Sequence, residues 1–427
     1  DITANISPIV PGRQGRPSFS LEALRERIER QFKEETANRA DILLDLDTES
    51  KRRAMLSEIA DYILALENIT LAFKDRLLVI DKAYRNLFAF GPLDEYLEND
   101  AVTEITINGP HDIHVRRGMS RLQPVTTAFD DRAHLVGILE RVLATGGAVL
   151  SDNEPFAEIG VVLSGRAARI SLIGPPVSPD YSLQIRLHPH QPISLDDLHT
   201  RFRAVPPQAA DLLRAILHAG YGLLIVGDAG LGKTTLAGAL AHVLPTDTSI
   251  IAVERATEMH LPPEIKRRAV IPATPDNPGS DLVAQMQAAL EDKPDWLIVD
   301  EIRGDESAAV WDALTRPDPP RYLWVFRGDS QADRLRSALS MVIRKAQPTI
   351  EQAAIHRMLA ERLPFVAALK LVDGTPRLHM IAEWILTESA HDIFLILRPL
   401  LSEQEGGWLF IENRASRPLN LPENFWE

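Results

Sequence analysis

Cysteine is absent from the 427-residue sequence, so disulfide cross-links and thiol chemistry are excluded. The absence also agrees with a reducing compartment. Basic residues are fewer than acidic ones: the chain has 46 Lys and Arg and 60 Asp and Glu, which gives a net charge of −14. A chain this acidic is a poor candidate for general nucleic-acid binding, since phosphate backbones attract cationic surfaces.

Long apolar runs are missing as well. A membrane-spanning helix needs about 18–20 consecutive apolar residues, and the best candidate run, Ile393–Leu397, is stopped by Arg398 and Pro399. The N-terminus shows no signal-peptide pattern. We therefore expect a soluble protein whose contact with a membrane is peripheral or passes through partners. Hydrophobic residues make up 45% of the chain, which is enough for the cores of two or three domains.

One glycine-rich stretch organises the rest of the chain, because it matches the pattern Gly-x4-Gly-Lys-Ser/Thr. Its residues are Gly227, Asp228, Ala229, Gly230, Leu231, Gly232, Lys233, Thr234 and Thr235. A β-branched apolar run precedes it and a helix-like run follows it, so the order is strand, loop and helix. Glycines let backbone N–H groups converge on an anion, and the helix N-terminus adds partial positive charge. We predict a phosphate-binding loop; the alternative is a glycine turn with an incidental lysine.

Within this loop, Lys233 is expected to reach the β- and γ-phosphates of a nucleotide, and the Thr234 hydroxyl is expected to bind Mg²⁺. Two further apolar runs end in acids. Asp300 and Glu301 follow one, and Glu254 follows the other, with Glu258 four residues later.

The carboxyl ends of parallel strands form the edge where α/β proteins bind ligands. There Asp300 would complete a Mg²⁺ shell and Glu301 would polarise the attacking water. Glu254 and Glu258 are further candidates for positioning that water. A solvated strand end or surface turn is the alternative interpretation of these acids.

The pattern of apolar residues divides the chain into six segments. They are a flexible tail at 1–19, a helical module at 20–88, an α+β domain at 89–188, a proline-rich linker at 189–207, an α/β domain at 208–390 and a C-terminal tail at 391–427. Hairpins predicted around Asn108–Gly109 and Ser164–Gly165 identify the α+β domain. Alternating strand-like and helix-like runs from 208 predict a parallel sheet with crossover helices, closed by a hairpin around Asp373–Gly374.

Three motifs resemble those of the secretion and pilus-assembly traffic ATPases, the type II/type IV secretion ATPase superfamily. They are the loop at 227–235, the acidic segment at 253–259 and the segment at 297–304. The first half of the chain resembles the N-terminal domain of the tight-adherence (Flp-type) pilus branch. The residues that carry this second resemblance are 91–93, 102–109 and 183–186. The helical module also fits that branch.

The resemblance implies a RecA-like P-loop motor domain preceded by an α+β N-terminal domain and a small helical module. It implies a homo-hexameric ring that binds ATP and Mg²⁺ between the two larger domains. It also implies work at the cytoplasmic face of the bacterial inner membrane, with inner-membrane platform proteins as partners and no nucleic acid.

In that family, an arginine of the N-terminal domain or of a neighbouring subunit completes the site. By motif position Arg186 is the best candidate, and Arg268 and Arg303 are weaker ones. An arginine suits this role because its planar guanidinium is always charged and matches the charge of a γ-phosphate. The alternative for each is an ordinary surface arginine.

The sequence departs from the family pattern at several places. Arg255 follows Glu254 where the family has Glu-Asp, and Val161 stands where an arginine is expected. Residues 316–320 replace a Thr-Gly-His segment, and Arg327 stands where the histidine box expects its histidine. That box helps to link nucleotide state to domain movement, so its loss bears on turnover more than on nucleotide binding.

Two functions therefore stay open. The first is a Mg-dependent ATPase motor for pilus assembly or protein secretion. The second is a hydrolysis-impaired, nucleotide-sensing ring subunit or scaffold that works with an active partner. A nucleic-acid translocase is a third alternative, which the acidic composition disfavours.

Overall fold

The structure is a computed structural model. It describes residues 20–37, 39, 44–118, 120–150, 155–274, 276–388, 393–404, 407–410 and 413–426. The predicted flexible tail at 1–19 lies outside the described residues, as do 391–392, 405–406, 411–412 and 427 of the predicted C-terminal tail.

Three helices form a small module at the start of the described chain. They are α1 (Leu21–Thr36), α2 (Glu49–Glu67) and α3 (Phe73–Phe88). Ser20 caps α1, because its hydroxyl accepts a hydrogen bond from the backbone N–H of Ala23 at 3.1 Å. Apolar side chains at helical spacing, such as Ile28, Leu56 and Ala83, meet in a separate core. The helical character predicted for this segment is confirmed for its described residues.

A six-stranded antiparallel sheet follows. Its strands are β1 (Val102–Asn108), β2 (Ile113–Arg117), β3 (Gln123–Pro124), β4 (Phe156–Leu163), β5 (Arg166–Ile173) and β6 (Ser182–Leu187), in the spatial order β3-β2-β1-β6-β5-β4. The short helix α4 (Asp94–Leu97) precedes the sheet, and α5 (Arg132–Thr145) packs against it through Ile138 and Leu139. Both predicted hairpins are confirmed. β4 is an edge strand, which leaves one side of it free of strand partners.

A nine-stranded sheet forms the second large domain. Its strands are β7 (Leu223–Gly227), β8 (Ile250–Glu254), β9 (Lys266–Ala269), β10 (Trp296–Ile302), β11 (Arg321–Arg327), β12 (Phe365–Val372), β13 (Thr375–Glu388), β14 (Ile393–Gln404) and β15 (Gly407–Phe410). The order is β15-β14-β13-β12-β7-β11-β10-β8-β9, and the strands from β12 to β9 are parallel. The predicted α/β class and the hairpin that joins β12 to β13 are confirmed.

Helices cover both faces of this sheet. One face carries α6 (Leu195–Thr200), α7 (Pro207–His218) and α8 (Lys233–Ala241), and the other carries α9 (Leu282–Glu291), α10 (Ser307–Thr315), α11 (Ala332–Ala346) and α12 (Gln352–Arg362). The central parallel strands β7, β8, β10 and β11 are largely buried, which explains their continuous apolar runs. The arrangement brings the carboxyl ends of β7, β8 and β10 together at one edge of the sheet.

Two segments that the sequence left outside this domain pack into it. The proline-rich linker contains α6, whose Leu195 and Leu198 are buried in the domain core. Within the C-terminal segment, β14 and β15 extend the sheet. The buried carboxylate of Glu383 then accepts hydrogen bonds from the following residues Ser416 and Arg417. Among the helices of the described residues, none combines the length and the apolar character that crossing a membrane requires.

Candidate functional site

The glycine-rich loop lies between β7 and α8, in the predicted order of strand, loop and helix. Gly230 and Gly232 have φ angles of 78° and 79°, a backbone conformation that favours glycine. A Cβ atom added at either position would meet nothing within 4 Å, so the loop borders open space. No side chain caps α8, which begins at Lys233, and its first N–H groups remain available to an anion.

Lys233 lies in this loop and is only 6% exposed. Its Nζ donates a hydrogen bond to the backbone oxygen of Asp228 at 2.8 Å. Burial lowers the pKa of Lys233; the charge of Glu301 opposes this shift, and the charge of Arg327 adds to it. Because the buried ammonium group of Lys233 is held by a neutral backbone oxygen, pairing with an incoming phosphate would be favourable.

The loop meets the acidic end of β10 through one contact. The Thr234 hydroxyl donates to Oδ1 of Asp300 at 3.1 Å. Asp300 is 1% exposed, and its Oδ2 makes no hydrogen bond to the described residues. Burial, followed by the charges of Glu258 and Glu254, raises the pKa of Asp300 to about 8.

These residues fit a Mg²⁺ ion that is bound together with phosphate. A hydroxyl and a carboxylate oxygen lie side by side, and the orphaned Asp300 Oδ2 lacks a positive partner. Among the described residues, no group of three or more His, Cys, Asp or Glu side chains is arranged to hold a metal by itself. Mg²⁺ commonly takes only one or two protein carboxylates and completes its shell with phosphate oxygens and water. The lack of a larger cluster among the described residues is therefore compatible with Mg²⁺ binding at Thr234 and Asp300.

Glu301 follows Asp300 and is bound by an arginine of its own loop. Arg303 Nε donates to Glu301 Oε2 at 2.5 Å. Its Nη1 reaches across the domain boundary to Oε2 of Glu158, on β4, at 3.0 Å. The predicted water-polarising carboxylate is therefore tied, through Arg303, to the N-terminal domain.

The two other predicted acids differ in their surroundings. Glu254 is fully buried, and its oxygens accept hydrogen bonds from the Met259 N–H at 2.9 Å and from Arg267 at 2.8 Å. Burial raises its pKa, and Arg267 opposes the shift. Glu258 is 5% exposed, and its Oε1 makes no hydrogen bond to the described residues. Because Glu254 already has partners on both oxygens, the geometry favours Glu258 and Glu301 for contact with a ligand.

Two residues that the sequence analysis did not identify contact Glu258. Arg169 on β5 approaches it at 3.4 Å, and His188, the first residue after β6, approaches it at 3.3 Å. Burial alone would raise the pKa of Glu258, but the hydrogen bond from His188 and the charge of Arg169 outweigh burial and lower that pKa. The N-terminal domain thus supplies a guanidinium and an imidazole to the acidic edge of the second domain.

The position of Arg169 follows from strand pairing. Val161, where the family pattern expects an arginine, is buried in the core of the N-terminal domain. Its neighbour Gly160 pairs with Arg169 across the β4–β5 hairpin. A Cβ on Gly160 would lie 2.6 Å from the Ala256 Cα, so the two domains touch closely at this point. The alternation of buried and outward residues in β5 is the only sequence signal for Arg169, and it does not show which residue of the other domain Arg169 contacts.

The other predicted arginines lie around this point. Arg186 pairs with Arg169 in the sheet, and its charge helps to lower the pKa of Glu258. Arg268 forms an ion pair with Asp292 at 2.8 Å, which turns it away from the acidic edge. Arg327 ends β11 beside β7, where its charge acts on Lys233.

Arg255, the residue that replaces an acid of the family pattern, forms an ion pair with the buried Glu306. Glu306 Oε2 also accepts hydrogen bonds from the N–H groups of Arg303 and Gly304, at 2.8 and 3.0 Å. The basic substitution is therefore compensated by a carboxylate of the loop that carries Arg303.

Comparison with protein families matches residues 87–315, just over half of the chain, to the family described as "Type II/IV secretion system protein". The matched residues contain the glycine-rich loop, the four acids and Arg169. Most of the helical module lies outside the match.

Three similar proteins illustrate the relationship. A protein of Mycobacterium tuberculosis named for conjugal transfer is 29% identical over 233 residues, which cover 52% of this chain and 65% of that protein. VirB11 of Agrobacterium fabrum is 24% identical over 311 residues, which cover 65% of this chain and 88% of that protein. The type IV secretion system protein PtlH of Bordetella pertussis is 25% identical over 249 residues, which cover 52% and 71%. The chain thus spans slightly less than two thirds of the Mycobacterium protein.

Solved structures resemble the chain more distantly. The VirB11 ATPase of the Brucella suis type IV secretion system, in complex with sulphate, has 19% identity and a TM-score of 0.35 and covers 68% of this chain and 95% of that chain. The pilus retraction motor PilT with bound ADP has 16% identity and a TM-score of 0.47 and covers 72% and 82%. We transfer no residue role from similarities at this level.

Proposed function

Because this chain belongs to the type II/IV secretion system protein family, we propose that it is an ATPase that couples Mg·ATP hydrolysis to secretion or pilus assembly. The observation that carries the proposal is the 3.1 Å contact between the Thr234 hydroxyl and Asp300. It joins the glycine-rich loop to the acidic strand end and leaves one buried carboxylate oxygen without a partner. This is the donor set that a phosphate-bound Mg²⁺ requires.

In this proposal, the residues of the loop bind and orient the triphosphate. The N–H groups of the loop and of the first turn of α8 surround the phosphates, and Lys233 exchanges its backbone contact for a phosphate oxygen. Thr234 and Asp300 hold Mg²⁺, whose positive charge would offset the charge that develops on the phosphates.

Glu301 orders the attacking water and accepts its hydrogen bond. Arg169 faces Glu258 and Glu301, at 3.4 and 4.0 Å, and would supply positive charge from the N-terminal domain. Glu258 keeps Arg169 and His188 in place. Because the site draws side chains from both large domains, nucleotide binding and release would move one domain against the other about residues 189–194, between β6 and α6.

We further propose that the chain acts as a homo-hexameric ring, peripheral to the cytoplasmic face of the inner membrane, with inner-membrane platform proteins as partners. Family membership supports this assignment, as do relatives whose names refer to type IV secretion. The net charge of −14 supports a protein partner over a nucleic acid.

One observation favours a second candidate, a nucleotide-sensing subunit with impaired hydrolysis. Arg327 occupies the place of the family histidine, and it places a second cation beside Lys233. Such a subunit would bind ATP and change shape, and an active partner would hydrolyse ATP.

The experiment that separates the two measures phosphate release from Mg·ATP by the wild type, Glu301→Gln and Lys233→Ala, with ATP affinity determined in parallel. The motor predicts that each substitution slows release by at least about 100-fold, and that Glu301→Gln still binds ATP. If the wild type binds ATP but releases phosphate no faster than both variants, the sensing subunit is the correct assignment.

A further inference from the structure

The carboxylate of Glu158 lies between two guanidinium groups at the domain boundary. Its Oε1 accepts hydrogen bonds from Arg169 Nε at 2.9 Å and Arg169 Nη2 at 2.5 Å. Its Oε2 accepts from Arg303 Nη1 at 3.0 Å. Arg169 belongs to the N-terminal domain, as Glu158 does, and Arg303 belongs to the nucleotide-binding domain, so Glu158 joins the domains through Arg303.

These contacts close a ring of alternating charges. Arg303 also binds Glu301, and Arg169 also approaches Glu301 and Glu258. Glu301 and Glu258 belong to the acidic edge that carries the proposed chemistry. Glu158 does not: it comes from the edge strand β4 of the other domain, and the proposed hydrolysis gives it no role.

Glu158 accepts hydrogen bonds from Arg169 and Arg303 in the way that a terminal phosphate would. Carboxylate and phosphate both present a pair of anionic oxygens that can accept hydrogen bonds from a planar guanidinium group. While Glu158 binds the two arginines, few of their N–H donors remain for another ligand. Arg169 is also largely buried, and the charge of Asp300 acts on it.

We propose that Glu158 is a built-in competitor that holds Arg169 and Arg303 in the nucleotide-free protein and yields them when a nucleoside triphosphate binds. The inference rests on the proposed function, because it assigns a regulation to the same site. In the resting arrangement Arg303 is shared between Glu158 and Glu301, so the water-ordering carboxylate stays occupied. Release of Glu158 frees both arginines and loosens the domain boundary, which links γ-phosphate binding to domain movement.

The competition makes a specific prediction about nucleotides. A ligand that carries a γ-phosphate has to displace Glu158, whereas ADP does not reach that position. Removing the charge of Glu158 should therefore tighten a non-hydrolysable ATP analogue and leave ADP nearly unchanged.

The test is Glu158→Gln in the full chain, with calorimetric titration of a non-hydrolysable ATP analogue and of ADP, both with Mg²⁺. We expect about three- to tenfold tighter binding of the analogue and less than about a twofold change for ADP. Glu140→Gln is the matched control, because Glu140 is an exposed residue of α5 in the same domain and the substitution changes the net charge equally. The control should change neither affinity.

A second variant and a second readout keep the test decisive. Glu158→Asp retains the charge on a shorter side chain, so its affinities should lie between those of the wild type and Glu158→Gln. The absence of native cysteine allows spin labels at Asp112→Cys and Met341→Cys, one in each domain. The analogue should shift the label distance in the wild type, and Glu158→Gln should show part of that shift without nucleotide.

The outcomes separate this inference from the proposed function. If the wild type binds no ATP analogue, the proposed function is wrong. If the wild type binds it and Glu158→Gln binds it equally or more weakly, Glu158 is a structural ion-pair partner and the competitor is refuted. Equal tightening of the analogue and of ADP would also contradict it, because the effect would then not depend on the γ-phosphate.

Discussion

Two buried arginines lie at the two domain boundaries of this protein, and they are satisfied to different degrees. Arg25 on α1 is 2% exposed and joins the helical module to the N-terminal domain. Its guanidinium donates to Glu22 at 2.9 Å, to Glu29 at 2.7 Å and to both oxygens of Asp130 at 2.9 Å. Arg169 joins the N-terminal domain to the nucleotide-binding domain, where Oδ2 of Asp300 has no hydrogen-bond partner among the described residues.

The difference separates a structural contact from a site. At Arg25, the hydrogen bond from His134 and the charge of Arg25 lower the pKa of Asp130 to about 2. Burial raises the pKa of Glu29, and the charge of Arg25 opposes that shift. At Arg169, Glu258 Oε1 forms a 3.4 Å ion pair with Arg169 itself, whereas Asp300 Oδ2 is buried with no hydrogen-bond partner among the described residues. An unsatisfied buried oxygen is costly, so it indicates a place where a ligand supplies the missing charge.

The same substitution at both boundaries tests this contrast, and the largest effect is expected at Arg169. Arg169→Met should slow phosphate release about 100-fold, because one positive charge facing the developing phosphate charge is lost. The unfolding temperature should change less than in Arg25→Met, since Arg303 and His188 still serve Glu158 and Glu258. Steady-state kinetics measures the effect, with Arg117→Met, at an exposed position of β2 in the same domain, as the control. If Arg169→Met and Arg25→Met slowed phosphate release equally, the distinction between a site arginine and a structural arginine would be refuted.

Arg25→Met should have the opposite profile. The partly buried Glu29 and the exposed Asp130 lose their cation, which should lower the free energy of unfolding by about 1–3 kcal/mol after allowance for the exposure of Asp130. Phosphate release should stay within about twofold of the wild type. Scanning calorimetry measures the stability, and Arg76→Met, which breaks an exposed pair with Asp61, should cost less than about 1 kcal/mol. A large loss of turnover without destabilisation would show that Arg25 communicates with the site.

Gly160→Ala tests how closely the domains must fit. The added Cβ would lie 2.6 Å from both the Ala256 Cα and the Thr257 N, and backbone atoms cannot move aside singly. We expect overpacking of roughly 1–3 kcal/mol at the boundary and about tenfold slower phosphate release. Gly137→Ala is the control, because a Cβ there meets nothing within 4 Å. Wild-type turnover in Gly160→Ala would mean that the observed domain contact is not the working one.

The smallest expected effect is a pH dependence of stability at the boundary between the helical module and the N-terminal domain. Burial raises the pKa of Asp94, beside α3, from 3.8 to about 6. The folded state therefore keeps its proton longer than the unfolded state, so this stabilisation is complete below about pH 4 and lost as pH rises through about 6. Asp94→Asn stays neutral, so its unfolding temperature should rise relative to the wild type between pH 4 and 6. A constant difference across that range would exclude the shifted pKa.

Much of the fold was readable from local patterns. The loop at 227–235, the acids that end β8 and β10 and the three hairpins each depend on residues close in sequence. The predicted contact between the loop and Asp300 needed only the rule that parallel strand ends share an edge. The roles assigned to the individual site residues stay predictions until they are measured.

The missed residues depend on packing between distant segments. Arg169, His188 and Glu158 reach the site because β4, β5 and the end of β6 lie against the acidic edge of the other domain. Arg186 was favoured by motif position, whereas the neighbouring strand brings Arg169 closer. Similarly, prolines marked 189–207 as a linker but could not reveal that Leu195 and Leu198 are buried. Periodicity shows that a residue faces outward, and it does not show what lies opposite.

The central claim is that one nucleotide site is built by two domains, and hydrogen–deuterium exchange of the full chain with and without a Mg·ATP analogue tests it most directly. The account predicts slower exchange in the loop at 227–235 and, at the same ligand concentration, altered exchange in the β4–β5 hairpin at 156–173. Protection confined to the loop, with the hairpin unchanged at saturation, would contradict it.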